Sequence, residues 1–316
     1  MINVINTCNE EKHLIKNANL LKKKMIIQNR INDFFINGPK IKKIIRDFYQ
    51  EEKEGKIPLF HAVEIETINR CNGVCPFCPV NKNSDSRIYH KMEGELFKKI
   101  IDELNSLKFA GNVALYSNNE PFLDERIVDF AKYARNSLPS ANIYLFTNGT
   151  LLTLELYKAI MPYLDYLHID NYSDSFKLIK PVKEIYEYCQ VNEEEENAII
   201  YLRKQNEVLT SRGGQAPNKK QAKGLNIPCL LPFQQFIIRP DGKVSLCCND
   251  ALGKYTMGDV SLQSMKEIWE GEAFQKIRKK IYEGRRNIDL CKACDTRIGR
   301  REFVDGKWQY TIGRNK

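Results

Sequence analysis

The sequence predicts an α/β protein built on a partial (β/α)6 barrel of the TIM type, with a helical N-terminal extension and a small C-terminal domain containing a β-hairpin and a helix. Apolar runs typical of strands alternate with helical patterns from residue 61 to residue 202, as expected for parallel βα units. A polar, glycine-containing stretch at residues 211–223 interrupts this alternation, and a hairpin pattern follows it. We therefore predict domains at residues 1–59, 60–224 and 225–316.

The N-terminal extension carries two amphipathic patterns. Residues 12–36 and 40–54 place apolar side chains at helical spacing, and Gly38-Pro39 separates them as a helix breaker. The first twelve residues are polar, and no apolar run in the chain approaches the length of a membrane span. We therefore expect a cytoplasmic protein without a membrane-spanning segment.

The barrel begins at residues 61–67, where apolar and charged side chains alternate as in a strand with unlike faces. Further strands are predicted at residues 112–116, 142–146, 166–169 and 198–202, and helices at 93–107, 124–138, 153–163 and 182–189. In the C-terminal domain, residues 236–238 and 244–246 flank the turn Pro240-Asp241-Gly242 and predict a hairpin. One helix is predicted at residues 262–282.

Charge and cysteine content narrow the class of function. The net charge is +9, but the basic excess lies on the two predicted helical ends without interleaved aromatic residues, so we interpret it as solvated helix faces and expect no nucleic-acid partner. Ten cysteines in a chain without an export signal are typical of metal binding or catalysis rather than of disulfides.

The first cysteine set is Cys71, Cys75 and Cys78, a C-x3-C-x2-C pattern directly after the first barrel strand. Three thiolates on a short loop can hold three irons of a 4Fe-4S cluster. The fourth iron is then open to chelate the amino and carboxylate groups of S-adenosylmethionine. The alternative is a zinc knuckle with His90 as the nearest fourth ligand, although zinc sites favour paired C-x2-C units.

This pattern resembles the radical SAM superfamily, and three later segments agree. Tyr116-Ser-Asn-Asn-Glu120-Pro121 is similar to the Gly-Gly-Glu-Pro segment of that superfamily, with Asn118 and Asn119 in place of the glycines. Thr147-Asn148-Gly149 and Asp170-Asn171 follow the next two strands. The resemblance implies that S-adenosylmethionine is bound by these strand ends, with Asn119, Glu120, Thr147, Asn148 and Asp170 as the predicted contacts.

A second cysteine set is formed by Cys229, Cys247, Cys291 and Cys294. Four thiolates suit either a 4Fe-4S cluster or a zinc ion, and the adjacent Cys248 could replace Cys247 as a ligand. Residues 229–294 resemble the twitch domain, a shortened form of the SPASM domain, which implies a second 4Fe-4S cluster.

More specific similarity is to the radical SAM dehydrogenases of the type found in butirosin biosynthesis. It covers residues 60–295 and rests on Ser211-Arg-Gly-Gly, Met257-Gly-Asp-Val, Glu267-Ile-Trp and Cys291-Lys-Ala-Cys. The resemblance implies oxidation of a secondary alcohol of a cyclitol or sugar-like small molecule to a ketone. The second cluster would accept an electron, and a flavodoxin or ferredoxin would be the electron donor.

Four further side chains are predicted to face or act on the substrate. Arg212 lies in the linker between domains, where the resemblance implies that it orients the substrate hydroxyl as a permanently charged donor. Glu64 and Glu66 share one strand face, opposite Val63 and Ile65, and could point into the barrel. Tyr116 is predicted to line the pocket.

Two other functions remain open at the level of sequence. A radical SAM maturase acting on a precursor peptide would also use a second cluster, and the N-terminal helices could contact such a peptide. A zinc-binding protein without enzymatic activity would explain both cysteine sets without radical chemistry.

Overall fold

The computed structural model describes residues 2–6, 28–29, 31–55, 59–192, 197–219 and 222–297, together with the backbone of two strands at 301–304 and 307–310. Its main sheet is open and has nine strands: β1 (Asn3–Asn6), β2 (Ala62–Ile65), β3 (Asn112–Ala114), β4 (Asn142–Thr147), β5 (Tyr166–Tyr172), β6 (Ala198–Arg203), β7 (Gln235–Ile238), β8 (Lys243–Ser245) and β9 (Thr256–Asp259). Across the sheet they follow the order β1-β6-β5-β4-β3-β2-β7-β8-β9. Strands β1 to β7 pair in parallel along that order, whereas β8 and β9 are antiparallel. The predicted α/β class and the partial barrel are confirmed.

The strands that form the barrel agree with the sequence pattern to within a few residues. They are β2 (Ala62–Ile65), β3 (Asn112–Ala114), β4 (Asn142–Thr147), β5 (Tyr166–Tyr172) and β6 (Ala198–Arg203). The helices between them are α2 (Gly94–Ser106), α3 (Ile127–Ser137), α4 (Leu154–Ile160) and α5 (Lys180–Val191). Each helix returns the chain so that the carboxyl ends of the strands meet at one edge, where the sites of barrel enzymes lie.

The core lies between the sheet and these helices. Val63 and Ile65 on β2 are fully buried, as are Phe97 and Ile101 on α2. Burial of each such side chain stabilises the fold by about 1.5–3 kcal/mol. The opposite face of the sheet carries polar and aromatic side chains toward the barrel interior, so the alternation in the first strand does separate two environments.

The C-terminal hairpin continues the main sheet. Strand β7 (Gln235–Ile238) pairs in parallel with β2, and it also pairs with β8 (Lys243–Ser245), which in turn pairs with β9 (Thr256–Asp259). The hairpin was expected from its turn residues, but its pairing with the first barrel strand was not. This pairing fixes the second cysteine set relative to the first.

The single helix predicted at residues 262–282 is two helices, which corrects the prediction. Helix α6 (Met265–Glu270) ends and α7 (Glu272–Glu283) begins at Gly271, whose backbone is extended, with ψ 162°. Ser264 and Glu267 form a capping box that starts α6. A Cβ atom at Gly271 would lie 2.8 Å from the carbonyl oxygen of Glu267, so the break depends on this glycine. A short helix α8 (Asp289–Lys292) follows.

The N-terminal extension contributes a strand and a helix to the folded body. Strand β1 (Asn3–Asn6) pairs in parallel with β6 and was not predicted. Helix α1 (Gly38–Lys53) corresponds to the second predicted helix. A π-helical segment (Asp33–Asn37) leads directly into it, so the prediction that Gly38-Pro39 breaks the helix was wrong. Most of the first predicted helix, at residues 12–36, lies outside the described residues. Strands β10 (Arg301–Val304) and β11 (Lys307–Tyr310) form a separate hairpin.

Helix α1 packs against the C-terminal domain. The ring of Phe48 makes an edge contact with Phe233 at 5.3 Å between centroids and lies 5.2 Å from the guanidinium of Arg278. Arg278 is fully buried among Phe48, Phe233, Trp269 and Phe274 and donates to the carbonyl oxygens of Pro232 and Trp269. None of the helices in the described part of the chain is both long and apolar enough to cross a membrane.

Candidate active site and metal centres

The first cysteine loop follows β2 and is held by its own backbone. The amide of Cys78 donates to the carbonyl oxygen of Cys75 at 3.0 Å, and Asn81 Nδ2 donates to the carbonyl oxygens of both residues. A Cβ atom at Gly73 would lie 3.4 Å from Cys71 Sγ and 3.8 Å from Cys75 Sγ. The glycine therefore keeps the space between two sulfur atoms clear, which fits a cluster seated on this loop.

Burial raises the pKa of Cys71 and of Cys75 to about 12, so both thiols stay protonated at neutral pH when no metal is bound. Metal ligation requires the thiolate, and binding therefore releases these protons. The donor set suits iron, because three sulfur ligands on one short loop leave one corner of a four-iron cluster without a protein ligand.

A cavity of about 270 Å³ opens beside the three cysteines. Its walls are the cysteine loop, the ends of β3, β4, β5 and β6, and the segment around Arg212. Seven other predicted site residues line the same cavity: Tyr116, Asn119, Glu120, Thr147, Asn148, Asp170 and Arg212. Parallel strand ends converge at one edge of a sheet, which explains why residues so far apart in sequence meet here.

Glu120 joins two strand ends. It is 1% exposed, and its carboxylate accepts hydrogen bonds from Thr147 Oγ1 at 2.7 Å, from the amide of Asn148 at 2.8 Å and from the amide of Phe122 at 3.2 Å. Burial raises the pKa of Glu120 to about 7, against the opposing effect of these donors. Glu120 lines the cavity, but most of its hydrogen-bonding capacity holds Thr147 and Asn148 in place.

The turn after β4 requires its glycine. Gly149 has φ +72°, and a Cβ atom there would lie 2.6 Å from the side chain of Val182. The turn directs Asn148 Nδ2 toward the cysteine loop, where it donates to Asn72 Oδ1 at 2.8 Å and lies 4.0 Å from Cys71 Sγ. Asn148 thus connects the cavity wall to the first cysteine loop.

Asp170 also lines the cavity. It accepts from His168 Nε2 at 3.0 Å and from Arg203 Nη1 at 3.4 Å. Burial opposes its ionisation, but His168 and Arg203 outweigh burial and lower the pKa of Asp170. The carboxylate is therefore charged at neutral pH and can accept hydrogen bonds from ligand hydroxyl groups.

Two donors in the cavity wall lack partners within the protein. Asn119 Nδ2 and Arg212 Nε are buried without hydrogen bonds, and a buried donor in that state costs about 1–3 kcal/mol. A ligand carrying carboxylate or hydroxyl oxygens would satisfy them. The charged carboxylate of Asp170 lines the same cavity. Together these groups fit S-adenosylmethionine, whose polar groups include a carboxylate, an ammonium and ribose hydroxyls.

Arg212 is held by a turn of unusual backbone conformation. Arg212, Gly213 and Gly214 have φ values of +51°, +64° and +78°, and a positive φ costs a residue with a side chain about 1–2 kcal/mol. Ser211 anchors the turn by accepting and donating hydrogen bonds with Asp295 and Ala293. Arg212 Nη2 then donates to Asn118 Oδ1 and to the carbonyl oxygen of Cys248.

Tyr116 begins a row of stacked rings along the barrel interior. Tyr116 stacks on Phe146 at 4.8 Å, Phe146 on His168 at 4.0 Å, and His168 on Tyr201 at 4.2 Å between centroids. The four rings come from neighbouring strands or strand ends. Tyr116 and Phe146 give the cavity an apolar floor next to its polar wall.

Glu64 lies behind this cavity and is not among its lining residues. It is buried, accepts from Ser117 Oγ at 2.7 Å, and lies 3.5 Å from Gln235 Nε2. Ser117 separates it from the open space. Glu66, on the same strand face, forms an ion pair with Arg87 at 2.9 Å. Both carboxylates thus lie on the inner face of the strand, but their contacts are with protein side chains.

The second cysteine set surrounds a small cavity of its own. Cys229, Cys247, Cys291 and Cys294 all line it, and the adjacent Cys248 does not. None of the described cysteines forms a disulfide. No three His, Cys, Asp or Glu side chains in the described ranges converge closely enough to hold a single metal ion. Four sulfur atoms around a cavity fit the larger 4Fe-4S cluster.

Comparison with known proteins identifies the family. Residues 65–206 match the radical SAM superfamily, and residues 229–295 match SPASM, an iron-sulfur cluster-binding domain. Each match contains one of the two cysteine sets. The chain contains a radical SAM domain followed by a SPASM domain. It is a radical SAM enzyme whose cofactors are S-adenosylmethionine and iron-sulfur clusters.

One curated relative of this radical SAM enzyme is the S-adenosyl-L-methionine-dependent 2-deoxy-scyllo-inosamine dehydrogenase of Niallia circulans. It is 28% identical over 239 residues, which are 75% of this chain and 93% of the relative. The crystal structure of BtrN in complex with AdoMet and 2-DOIA matches with a TM-score of 0.65 and 25% identity over 76% of this chain and 94% of BtrN. BtrN in an open conformation matches in fold over the same shares, with a TM-score of 0.56 and 23% identity.

Several residues of this radical SAM enzyme's site escaped the sequence reasoning. Arg203 lines the cavity and pairs with Asp170; it directly follows the strand predicted at residues 198–202, so the strand-end rule could have found it. Ser117 links the cavity to Glu64, which no local pattern reveals. Arg285 is buried beside the second cysteine set, and the sequence offers no signal for it because Pro228, which accepts one of its hydrogen bonds, lies 57 residues away in the chain.

Proposed function

We propose that this radical SAM enzyme is a dehydrogenase that oxidises a secondary alcohol of a cyclitol or sugar-like small molecule to a ketone. The observation that carries the proposal is the position of Arg212, which lines the first cavity and contacts the residue following Cys247 of the second cysteine set. A substrate held at Arg212 would lie between the two cysteine sets. The dehydrogenase of Niallia circulans, similar over three quarters of the chain, supports the same reaction class.

The cofactors would be held by Cys71, Cys75 and Cys78 at one end of the site and by Cys229, Cys247, Cys291 and Cys294 at the other. When bound, the first cluster and S-adenosylmethionine would supply the means to remove the carbinol hydrogen, and the second cluster would supply an acceptor for the electron left after the hydroxyl proton departs. Hydrogen atom, proton and electron together account for the two-electron oxidation of alcohol to ketone.

Arg212 would position the reacting hydroxyl. Its Nη2 atom is engaged by Asn118 and Cys248, whereas Nε is buried and has no partner. An arginine remains protonated at neutral pH, so it can donate to the substrate oxygen but does not serve as a base. Its charge would stabilise the oxygen as the proton leaves, as fixed donors do in other enzymes.

Ser117 and Tyr116 would shape the rest of the substrate site. Ser117 lines the cavity while donating to Glu64, so its oxygen retains a lone pair for a substrate hydroxyl or ammonium group. Glu64 behind it accepts the hydrogen bond from Ser117 and so fixes the orientation of that hydroxyl. Tyr116 supplies an apolar ring face, which suits the C–H groups of a saturated ring.

Two further features belong to this proposal. An external one-electron donor, of the flavodoxin or ferredoxin type, would reduce the first cluster, as the resemblance to radical SAM dehydrogenases implies. We also place the enzyme in the cytoplasm, where thiols remain reduced and available for metal binding.

The experiment is anaerobic reconstitution followed by an assay with deuterated alcohols. We expect about eight irons per chain, the content of two 4Fe-4S clusters. Aminocyclitols, beginning with 2-deoxy-scyllo-inosamine, would be deuterated at the carbinol carbon; transfer of deuterium into 5′-deoxyadenosine, with formation of the ketone, is the expected result. Cys71→Ala is the control that forms neither product.

The outcomes separate this proposal from its alternatives. Deoxyadenosine without deuterium transfer from any cyclitol or sugar alcohol, combined with label transfer from a peptide, would favour a peptide maturase. Zinc as the bound metal and no cleavage of S-adenosylmethionine under reducing conditions would refute radical chemistry altogether.

A further inference from the structure

Arg285 lies beside the second cysteine set, outside the residues already given a role. It begins a single helical turn (Arg285–Asn287) after α7 and is 1% exposed. Its side chain lines the small cavity together with Cys229, Cys247, Cys291 and Cys294. A fully buried cation in this position needs a physical explanation, because burying an uncompensated charge is costly.

The protein holds the guanidinium in a fixed orientation. Nη1 donates to the carbonyl oxygen of Thr296 at 2.8 Å, and Nη2 donates to that of Pro228 at 3.3 Å. Pro228 precedes Cys229, and Thr296 lies two residues after Cys294. The two carbonyl contacts therefore connect Arg285 to segments that carry cysteines of the set.

The guanidinium also contacts sulfur. Nη1 lies 4.0 Å from Cys294 Sγ, and Nε is buried without a hydrogen-bond partner. All four cysteines of the set line the same small cavity as Arg285. A cationic side chain with one unpaired donor therefore borders the space that the cysteines enclose.

A 4Fe-4S cluster held by four thiolates is an anion, and its negative charge increases by one on reduction. The reduction potentials of such clusters depend on net charge, hydrogen bonds to sulfur and solvent exposure. A buried cation beside the cluster stabilises the reduced form more than the oxidised form. The sign of the effect is therefore a higher potential, which makes the cluster a better electron acceptor.

We propose that Arg285 is a positioning residue that raises the reduction potential of the second cluster, through its charge and through hydrogen bonding to sulfur, and so enables that cluster to accept the electron from the substrate. This inference rests on the proposed dehydrogenase function and deepens it. Arg278 provides a contrast, because it is equally buried but is surrounded by aromatic rings and backbone carbonyls.

The test uses the reconstituted full chain with Cys71, Cys75 and Cys78 replaced by Ala, so that the second cluster gives the signal alone. Its midpoint potential is measured by redox titration with electron paramagnetic resonance in the Arg285→Gln, Arg285→Lys and Arg286→Gln variants. Arg286 is exposed and adjacent in sequence, so Arg286→Gln removes the same formal charge without a contact to the cluster cavity.

We expect Arg285→Gln to shift the reduction equilibrium at least tenfold toward the oxidised form, or about 59 mV toward negative potential for one electron. Arg285→Lys should shift it less, and Arg286→Gln by less than about twofold. A loaded Arg285→Gln variant with the wild-type potential would overturn the proposal, as would an equal shift in Arg286→Gln.

A second measurement covers the case in which Arg285→Gln does not bind iron. In the same background with wild-type Arg285, arginine labelled with nitrogen-15 should show a hyperfine coupling to the reduced cluster, and Arg285→Lys should abolish it. Absence of coupling would overturn the proposal. Neither measurement requires substrate, so an enzyme that fails to oxidise any alcohol would refute the dehydrogenase function while leaving the effect of Arg285 on the potential measurable.

Discussion

Arg212 donates a hydrogen bond from Nη2 to the carbonyl oxygen of Cys248 at 3.0 Å, and the same nitrogen donates to Asn118 Oδ1. One side chain therefore connects the barrel cavity to the loop that carries Cys247. The contact requires the positive φ of Arg212 and the two glycines after it. A Cβ atom at Gly213 would lie 2.5 Å from Leu290, so this turn packs too tightly against the C-terminal domain for another residue.

Replacement of Arg212 should separate radical formation from product formation. In Arg212→Lys the positive charge remains, but the forked donor geometry is lost, and we expect ketone formation to fall by about 100-fold, as for removal of one fixed donor. Deoxyadenosine should still form, without a matching amount of ketone. The ratio of the two products measures the effect; equal losses of both would place Arg212 in cofactor binding instead.

Replacing a cysteine of the first set should change the reaction products differently from replacing a cysteine of the second set. Cys71→Ala removes a predicted ligand of the first cluster and should abolish deoxyadenosine formation. Cys291→Ala should leave deoxyadenosine formation partly intact and suppress the ketone, because the electron acceptor is lost. Product analysis of both variants tests the assignment, and a normal ketone yield from Cys291→Ala would refute the acceptor role of the second cluster.

Cys247 and Cys248 form a matched pair for testing the second ligand set. Cys247 lines the small cavity with the other three cysteines, and Cys248 does not. Iron content after reconstitution should fall from about eight to about four atoms per chain in Cys247→Ser and stay near eight in Cys248→Ser. The reverse pattern would assign the ligand to Cys248.

Glu120 should impose a pH dependence on stability. Burial raises its pKa to about 7 in the folded protein, against about 4.3 in an unfolded chain. The folded state therefore binds more protons between these values, and the contribution of Glu120 to stability falls as pH rises from about 4.3 to 7, by on the order of 3 kcal/mol. The stability difference between wild type and Glu120→Gln, measured by urea unfolding from pH 5.5 to 8, should change with pH up to about 7 and then become constant. A difference independent of pH would contradict the raised pKa.

Helix α1 should stabilise the enzyme through Phe48. This ring is 7% exposed and contacts Phe233 and Arg278, so Phe48→Ala should lower the free energy of unfolding by about 3 kcal/mol. Phe34, in the same extension, is 72% exposed, and Phe34→Ala should change it by no more than about 0.5 kcal/mol. Denaturant unfolding of both variants provides the comparison, and equal effects would contradict the packing of α1 against the C-terminal domain.

Much of the fold was predictable because it follows local periodicity. The strand and helix alternation from β2 to β6 and the hairpin turn at Gly242 all agree with the structure. The break at Gly271 was missed because the pattern of apolar residues continues across it. Strand β1 was missed because its short, polar sequence gains its conformation only by pairing with β6.

Part of the candidate site was predictable from local patterns, and part of it was not. Cys71, Glu120 and Asp170 could be found because each follows a predicted strand, and the ends of parallel strands meet. Glu64 alternates correctly toward the barrel interior, yet Ser117 lies between it and the cavity. The alternation of a strand fixes the face of a side chain but not its depth along the barrel axis.

The sequence by itself determined how the reaction of this protein can start. Cysteine spacing fixes which thiols lie on the same loop, and strand periodicity fixes which loops lie at the same edge of the sheet. Only the tertiary structure decided how the two cysteine sets are connected. The parallel pairing of β7 with β2, the contact from Arg212 to Cys248 and the burial of Arg285 among cysteines all join residues far apart in the chain. Such contacts form only when the packed core brings those segments together, so no local pattern encodes them.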